Sequence, residues 1–491
     1  MSITLKFFED LQSKNINYCV WKGTEDIKSG LLGLGDIDLF MEYSEFSKFR
    51  RDIKEFNVIE SITNSCRSHP DIHDYFVLES DGTLIHLQIY TNLWFGSKSK
   101  SLDYRFNLLA SKVVLDSRYK DEETSIYFIG IDEYIYLSLL RLCILSVNSK
   151  NIENEIDEFK IIFEHFKIAD LDVEKIREFT TSELIIDIYN IERLLNMSFI
   201  DFKHIGNEIF KKPEMFGCKY KSSIPLIFKG WISRFLQMMK KIDLFPSNYH
   251  RKLTEGKVVI FLGADGSGKS TQVSRLVKTF KNKINTKYIY MGSGKNETNL
   301  IVNLMKLVRS LLKKKSIGDS KNLIEKSKES RRNFSLVLGI YSVILARSKV
   351  NKIKLLLKYY NAGYIVICDR FPQSSVVKSN DGPLIQHYNN SRKKMHRILA
   401  AYELKCYNYI AEAYSIDTLL IRFVANDLSK VYERRKDEMC FDSFSHKHKE
   451  NMKIKFNNKN MHAEIIDCSL NLNAVNYEVN NLVQKYLAKP L

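Results

Sequence analysis

Long apolar runs are missing from this sequence. The longest candidate, Ser335 to Ala346, is 12 residues, well short of the ~20 needed to span a bilayer, so no transmembrane helix is expected. The first residues, MSITLKFFEDLQ, lack the basic-then-apolar layout of a secretory signal and read as an amphipathic helix. The eight cysteines (19, 66, 143, 218, 368, 406, 440 and 468) form no CxxC pair and no cluster with histidine. That excludes a disulfide framework and a structural zinc site, and a reducing cytoplasm is the expected location. Internal repeats and low-complexity tracts are absent. Proline is scarce, at 7 of 491 residues, a bias that an AT-rich genome also produces.

What is present is globular: 44% hydrophobic and 27% charged residues, with length for two or three domains at ~100–200 residues each. The net charge of +17 is unevenly spread. Residues 1–250 carry 31 Lys+Arg and 38 Asp+Glu, a balance of −7, and residues 251–491 carry 44 and 20, a balance of +24. A half this basic suits anionic ligands such as nucleotides, nucleic acid or anionic lipid.

The pattern changes along the chain. Up to about residue 120, short apolar runs alternate with turns: NINYCVWKG, GDIDLFME, and a hairpin DYFVLESDGTLIHLQIY turned at Asp81-Gly82. From Asp132 to about Phe210 the spacing is helical, in DEYIYLSLLRLCIL and SELIIDIYNIERLL. Residues 211–255 are basic, aromatic and punctuated by Pro213, Pro225 and Pro246, and read as a connector. Within it, Phe228, Trp231, Ile232, Phe235, Met238, Met239 and Ile242 form a stripe flanked by Lys229, Arg234, Lys240 and Lys241. Such a helix packs on a neighbouring domain or lies on an anionic membrane. At Gly256 a new α/β unit begins, with KVVIFLG as a buried parallel strand and TQVSRLVKTF as a helix.

Between that strand and helix stands GADGSGKS, residues 263–270, which fits G-x-x-x-x-G-K-[ST] in its confirming context. Gly263, Gly266 and Gly268, with Ser267 and Thr271 in the same run, let backbone N–H groups converge on phosphate oxygens at the positive end of a helix. Lys269 reaches the β- and γ-phosphates, and the Ser270 hydroxyl is placed for Mg²⁺. YIVICDRF ends a second strand on Asp369 and Arg370. A carboxylate at the carboxyl edge of a parallel sheet, beside such a loop, holds Mg²⁺ or orients an attacking oxygen. Asp265 inside the loop suits a hydroxyl or metal contact. Arginines at 347 and 370 suit a forked grip on an acceptor phosphate. Arg434, Arg435 and Lys436, expected at a helix end, can close over a transferring phosphoryl group.

From about Gly256 onward the chain resembles the thymidylate kinase family of nucleoside monophosphate kinases. The resemblance rests on FLGADGSGKST, on Arg347 lying 22 residues before Asp369, on YIVICDRF, on DTLLIRFVANDLSKVYERRK at 417–436 and on EIIDCS at 464–469. It implies a P-loop kinase with a doubly wound parallel sheet, an ATP and Mg²⁺ requirement, and transfer of the γ-phosphoryl group to dTMP or a related small acceptor. Asp265, Lys269, Asp369 and Arg370 would be catalytic, and Arg347, Arg370, Arg434 and Arg435 would contact substrate phosphate or form a lid. Three departures cluster on the acceptor side. Leu262 stands where the family favours Glu, the Tyr-Gln pair expected after Ser374 and Ser375 is missing, and RFV at 422–424 lacks an aspartate. DRFP with DGP at 381–383 also resembles thymidylate-kinase-like proteins of surface-polysaccharide gene clusters.

KGTEDIKSGLLGLGDIDLFME at 22–42 resembles the polymerase-β type of nucleotidyltransferase. Gly23-Thr24 is followed by Asp36 and Asp38 on one strand face, where both carboxylates can grip a metal ion. A third acid is expected on LIHLQIY, 84–90, which offers His86 and Gln88 instead. The expected architecture is therefore an α+β nucleotidyltransferase-like domain with a helical extension over 1–210, a connector over 211–255 and an α/β kinase domain over 256–491. Expected partners are a small nucleotide or sugar-type acceptor, a peripheral membrane contact through 226–245 and a second copy of the chain in a homodimer. Two other functions stay open: a nucleotide-binding regulatory or scaffold protein, and, ranked last for want of a base-reading motif, a nucleic-acid end-modifying enzyme.

Overall fold

A computed structural model describes residues 2–63, 69–96, 104–109, 111–149, 152–166, 170–220, 251–281, 283–292, 325–377, 381–413, 415–434, 436, 440–456 and 458–489. The proposed membrane contact at 226–245 and Arg435 lie outside the described residues. The chain divides into two compact units: Met1–Glu79 with Thr83–Arg251 and Leu487–Leu491, and Ser80–Gly82 with Lys252–Tyr486.

The first unit opens with the helix Ile3–Ser13. It is capped by Ser2, whose side chain accepts from the Leu5 N–H, and it buries Phe7, Phe8 and Leu11. Strands follow in chain order: β1 (Cys19–Lys22), β2 (Asp36–Phe40), β3 (Ile59–Ile62), β4 (Ile72–Leu78), β5 (Leu84–Tyr90), β6 (Trp94–Gly96), β7 (Tyr104–Leu108), β8 (Tyr119–Lys120), β9 (Tyr127–Phe128) and β10 (Cys218–Tyr220). The main sheet runs β3-β4-β5-β2-β1-β9-β8, and β10-β7-β6 form a second, smaller one. The hairpin expected around Asp81-Gly82 is the antiparallel pair β4–β5, and β2 lies parallel to β5 with Asp36 opposite His86 and Asp38 opposite Gln88.

A helical layer completes this unit. The helix Ile131–Asn148 buries twelve of its eighteen residues, including Ile135, Leu139 and Leu142, and each such apolar side chain contributes ~1.5–3 kcal/mol on burial. The helix Phe199–Lys211 begins with a Ser198/Asp201 capping box and crosses it at Gly206. A Cβ at Gly206 would sit 2.0 Å from the Cys143 carbonyl oxygen, so only glycine lets the two backbones touch. The segment expected as one helix over SELIIDIYNIERLL is two, Glu183–Ile188 and Ile191–Asn196. Asn190 breaks it by turning its side chain onto the Glu192 and Arg193 N–H groups as a new N-cap. Part of the stretch expected as a connector, residues 213–220, is regular structure. Residues 213–216 form a 3-10 turn and β10 pairs with β7, so this stretch belongs to the first unit's packing, and the division between units falls after Arg251, not after residue 255.

The second unit is a mixed α/β structure. After the short β11 (Lys252–Leu253) come β12 (Lys257–Gly263), β13 (Thr286–Tyr290), β14 (Ile365–Asp369), β15 (Thr418–Val424) and β16 (Met461–Asp467). The last five form one sheet in the order β13-β14-β12-β15-β16, parallel throughout. The unbroken apolar run of β12 suits a central strand covered on both faces: Val258, Val259, Ile260 and Phe261 are fully buried. β16 is an edge strand and is correspondingly exposed along most of its length. The connecting helices include Lys269–Phe280, Glu325–Asn361, Lys394–Ala413 and Leu472–Leu487. From β12 the chain goes to one side for β14 and to the other for β15, a switch point that leaves a crevice at the strands' carboxyl ends. Among the described residues, no helix is long and apolar enough to cross a membrane.

Candidate functional site

The glycine loop between β12 and the helix Lys269–Phe280 forms the wall of a cavity of about 540 Å³. Gly263 has φ +155° and Gly268 φ +83°. At Gly263 a Cβ would also meet the Ser267 hydroxyl at 2.8 Å and the Phe423 Cβ at 2.9 Å, so the turn excludes any larger residue. Gly268 caps the helix, leaving the first-turn N–H groups at the cavity for an anion.

Lys269 is 5% exposed. Its ammonium donates to the Ala264 carbonyl at 2.6 Å and to Ser267 Oγ at 3.3 Å. Burial, reinforced by the Arg370 guanidinium, pushes it down to about 8, against the pull of Asp265 and Asp369. The Ser270 hydroxyl donates to Asp369 Oδ2 at 3.0 Å. The other oxygen of Asp369, which is 2% exposed, has no hydrogen-bond partner in the structure. A buried carboxylate oxygen without a donor is costly, and beside a hydroxyl and a phosphate loop it fits Mg²⁺ or one of its waters. Among the described residues, no cluster of three or more His, Cys, Asp or Glu is set to hold a metal. An ion here would rely on Ser270, Asp369, phosphate and water.

Arg370 follows β14 with φ +68°. One arm of its guanidinium donates to Asp265 Oδ1 at 2.6 Å, and the other lies 3.8 Å from Asp381 Oδ2. Burial works against its charge, but Asp381 and Asp265 more than offset it and hold its pKa above the ordinary value. Asp265, expected to contact a hydroxyl or metal, has one carboxylate oxygen engaged by Arg370 and a side chain 41% exposed at the cavity. Arg434 lines the cavity two residues past the end of the helix Leu428–Tyr432. Arg347 is exposed on the helix Glu325–Asn361 and does not line the cavity, and Thr271 does.

Several cavity residues were not anticipated. Gln272, 1% exposed, lines it with neither amide atom hydrogen-bonded. A ligand polar group reaching it would relieve two unmet bonds. Cys468, Leu470, Leu472 and Val475 supply an apolar wall, and burial raises the Cys468 thiol to about 11. The position of Gln272, in step with the buried Val273 and Leu276 on the helix that follows the loop, was the available signal.

In the first unit, Asp36 and Asp38 share a strand face as expected, at the edge of a second cavity of about 750 Å³. The neighbouring acid is Asp74 on β4, not a residue of 84–90. Pairing outward from the Asp81-Gly82 turn sets Asp74 opposite Gln88, which the hairpin pattern already implied. His86, 2% exposed, places Nδ1 at 2.6 Å from Asp36 and Nε2 at 2.8 Å from Asp74. Gln88 donates to Asp74 at 3.1 Å, Arg251 lies 2.9 Å from it, and Lys22 lies 3.1 Å from Asp38 Oδ2. Burial opposes charge on His86, but the two carboxylates win and raise its pKa. Burial likewise opposes charge on Asp74 and Asp36, and the same partners hold both below the ordinary carboxylate range. Asp38 Oδ1 has no hydrogen-bond partner.

Comparison with known proteins adds a relative but no family. No family model matches the chain. The chain is 26% identical over 185 residues to the uncharacterized ATP-binding protein YghS of Escherichia coli (strain K12), a stretch covering 38% of this chain and 75% of that protein. Among solved structures, thymidylate kinase from Candida albicans aligns with 47% of this chain and 94% of its own, at 16% identity and a TM-score of 0.24.

Proposed function

We propose that the second unit is an ATP-dependent phosphotransferase of the P-loop, thymidylate kinase-like type acting on a small nucleotide, nucleoside or sugar-type acceptor. The observation that carries this reading is the unpartnered Asp369 oxygen beside the Ser270 hydroxyl, at the mouth of a glycine loop that holds a buried Lys269. The likeness to an ATP-binding protein supports it.

On this reading the loop amides and Lys269 bind the β- and γ-phosphates. Lys269 exchanges its bonds to Ala264 and Ser267 for phosphate oxygens and stays charged there. Ser270 and Asp369 would hold Mg²⁺, which supplies charge neutralisation to the phosphates when bound. Arg434 offsets charge that develops on the transferring group. The wall of Leu470, Leu472 and Val475 offers an apolar surface to the nucleoside and excludes water.

We read the first unit as non-catalytic, since Asp36, Asp38 and Asp74 are already engaged by His86, Lys22 and Arg251. Measuring ADP formation against panels of nucleosides, sugars and their monophosphates, with wild type and Lys269→Ala, tests the assignment. Acceptor-stimulated ADP release that depends on Lys269 supports it. Tight ATP binding with no acceptor-stimulated turnover would favour a regulatory switch.

A further inference from the structure

We propose that the acceptor is an uncharged hydroxyl compound of the sugar or nucleoside class and not a monophosphate. This rests on the phosphotransferase reading above. It comes from an alternating chain of charges, Asp265–Arg370–Asp381–Lys349, that closes the cations an acceptor phosphate would need.

Arg370 is fixed at its backbone, where its N–H donates to the Phe261 carbonyl at 3.0 Å. Its left-handed φ of +68° turns the side chain onto Asp265 at 2.6 Å and toward Asp381 at 3.8 Å. Asp381 is itself left-handed, at φ +65°. Its carbonyl accepts from Lys349 Nζ at 2.6 Å and from the Tyr407 hydroxyl at 2.8 Å. The Lys349 ammonium, on a residue 1% exposed, also stands 3.5 Å from the Asp381 carboxylate. Two non-glycine residues held left-handed indicate a geometry over-determined by its surroundings.

A dianionic acceptor phosphate would have to pull Arg370 from Asp265 and then sit beside two carboxylates, which is repulsive. Of the other cavity cations among the described residues, Lys269 serves the donor loop and Arg434 the transferring group. Arg347 lies outside the cavity. A hydroxyl group meets no such repulsion. Its oxygen bonds to the γ-phosphorus of ATP, the bond from that phosphorus to the β–γ bridging oxygen breaks, and the electron pair leaves on ADP. The hydroxyl proton passes to the carboxylate of Asp265, whose side chain is 41% exposed at the cavity and is oriented by Arg370.

The test uses the full chain with its loop filled by Mg²⁺ and a non-hydrolysable ATP analogue, titrated with inorganic phosphate and with dTMP. Wild type should bind neither appreciably. Asp265→Asn releases Arg370 and should gain about tenfold or more in phosphate affinity, and the added Arg370→Ala should abolish that gain, with circular dichroism confirming the fold. Wild-type binding of dTMP or phosphate that Arg370→Ala removes, or no gain in Asp265→Asn, overturns the inference. ADP release stimulated by a monophosphate does the same. Failure of the analogue itself to bind, with no difference in Lys269→Ala, instead overturns the phosphotransferase reading on which it rests.

Discussion

The two units treat their acids differently, although Asp38 of the first, like Asp369 of the second, keeps one oxygen without a hydrogen-bond partner. In the second, Asp369 receives one hydroxyl, from Ser270, and keeps an oxygen without a partner. In the first, Asp36 and Asp74 are bridged by one histidine, and Arg251, Gln88 and Lys22 add contacts to Asp74 and Asp38. Asp38 and Asp74 are buried much as Asp369 is, so burial alone does not separate the two sets. The partners do. A metal ion arriving at Asp369 fills a vacancy in hydrogen bonding, whereas one arriving at Asp36 competes with the His86 ring for the carboxylate. Strand-spaced acids therefore mark a metal site only when no fixed cation already stands between them.

The comparison breaks most visibly at Lys269. Lys269→Ala removes a positive charge preorganised on the transferring phosphates, and ADP formation should fall by ~100–1000-fold with circular dichroism unchanged. A fall smaller than tenfold would remove the distinction between the units. Next is His86. His86→Ala strips the buried Asp74 of one of its partners and should cost the first unit roughly 1–3 kcal/mol, read by denaturant unfolding. It should also raise Mn²⁺ affinity there, because the competing cation is gone.

The pH dependence of that bridge has a definite sign. A folded pKa raised above the ordinary 6.5 means the contribution of His86 is fully present below about pH 6.5 and is lost as pH rises through the folded value. The melting temperature of the first unit should decline over that window in wild type and not in His86→Ala. At the other site, free Lys269 titrates near 8 and phosphate favours its charged form. ATP binding should take up a proton above that pH, and affinity should fall about tenfold between pH 7 and 9. Calorimetry in buffers of different ionisation enthalpy detects the uptake.

The smallest effect is expected from Asp36→Asn/Asp38→Asn. ATP-dependent turnover should change by less than about twofold, since the pair belongs to the other unit. A collapse of turnover in a folded double variant would show that the two sites act together.

What the sequence made legible was mostly local. The glycine loop, the apolar β12 and the Asp81-Gly82 turn are written in neighbouring residues. Asn190 was overlooked because an asparagine inside an apolar period reads as helix until its capping bond is seen. The partners of Arg370 lie 105 residues back for Asp265, and Asp381 is held by Lys349 from a helix 32 residues earlier. Nothing in the spacing says that these four charges meet. Arg347, expected at the acceptor phosphate from its distance to Asp369 along the chain, is exposed on its helix and does not line the cavity.

The central claim is that ATP is held at the loop of the second unit. Calorimetric titration of Mg-ATP into the full chain tests it most directly, with wild type, Lys269→Ala and Asp36→Asn/Asp38→Asn side by side. The account predicts one ATP per chain in wild type, the same in the double aspartate variant, and loss of at least about tenfold in affinity in Lys269→Ala. Undiminished binding in Lys269→Ala, with binding lost in the double variant, would contradict it.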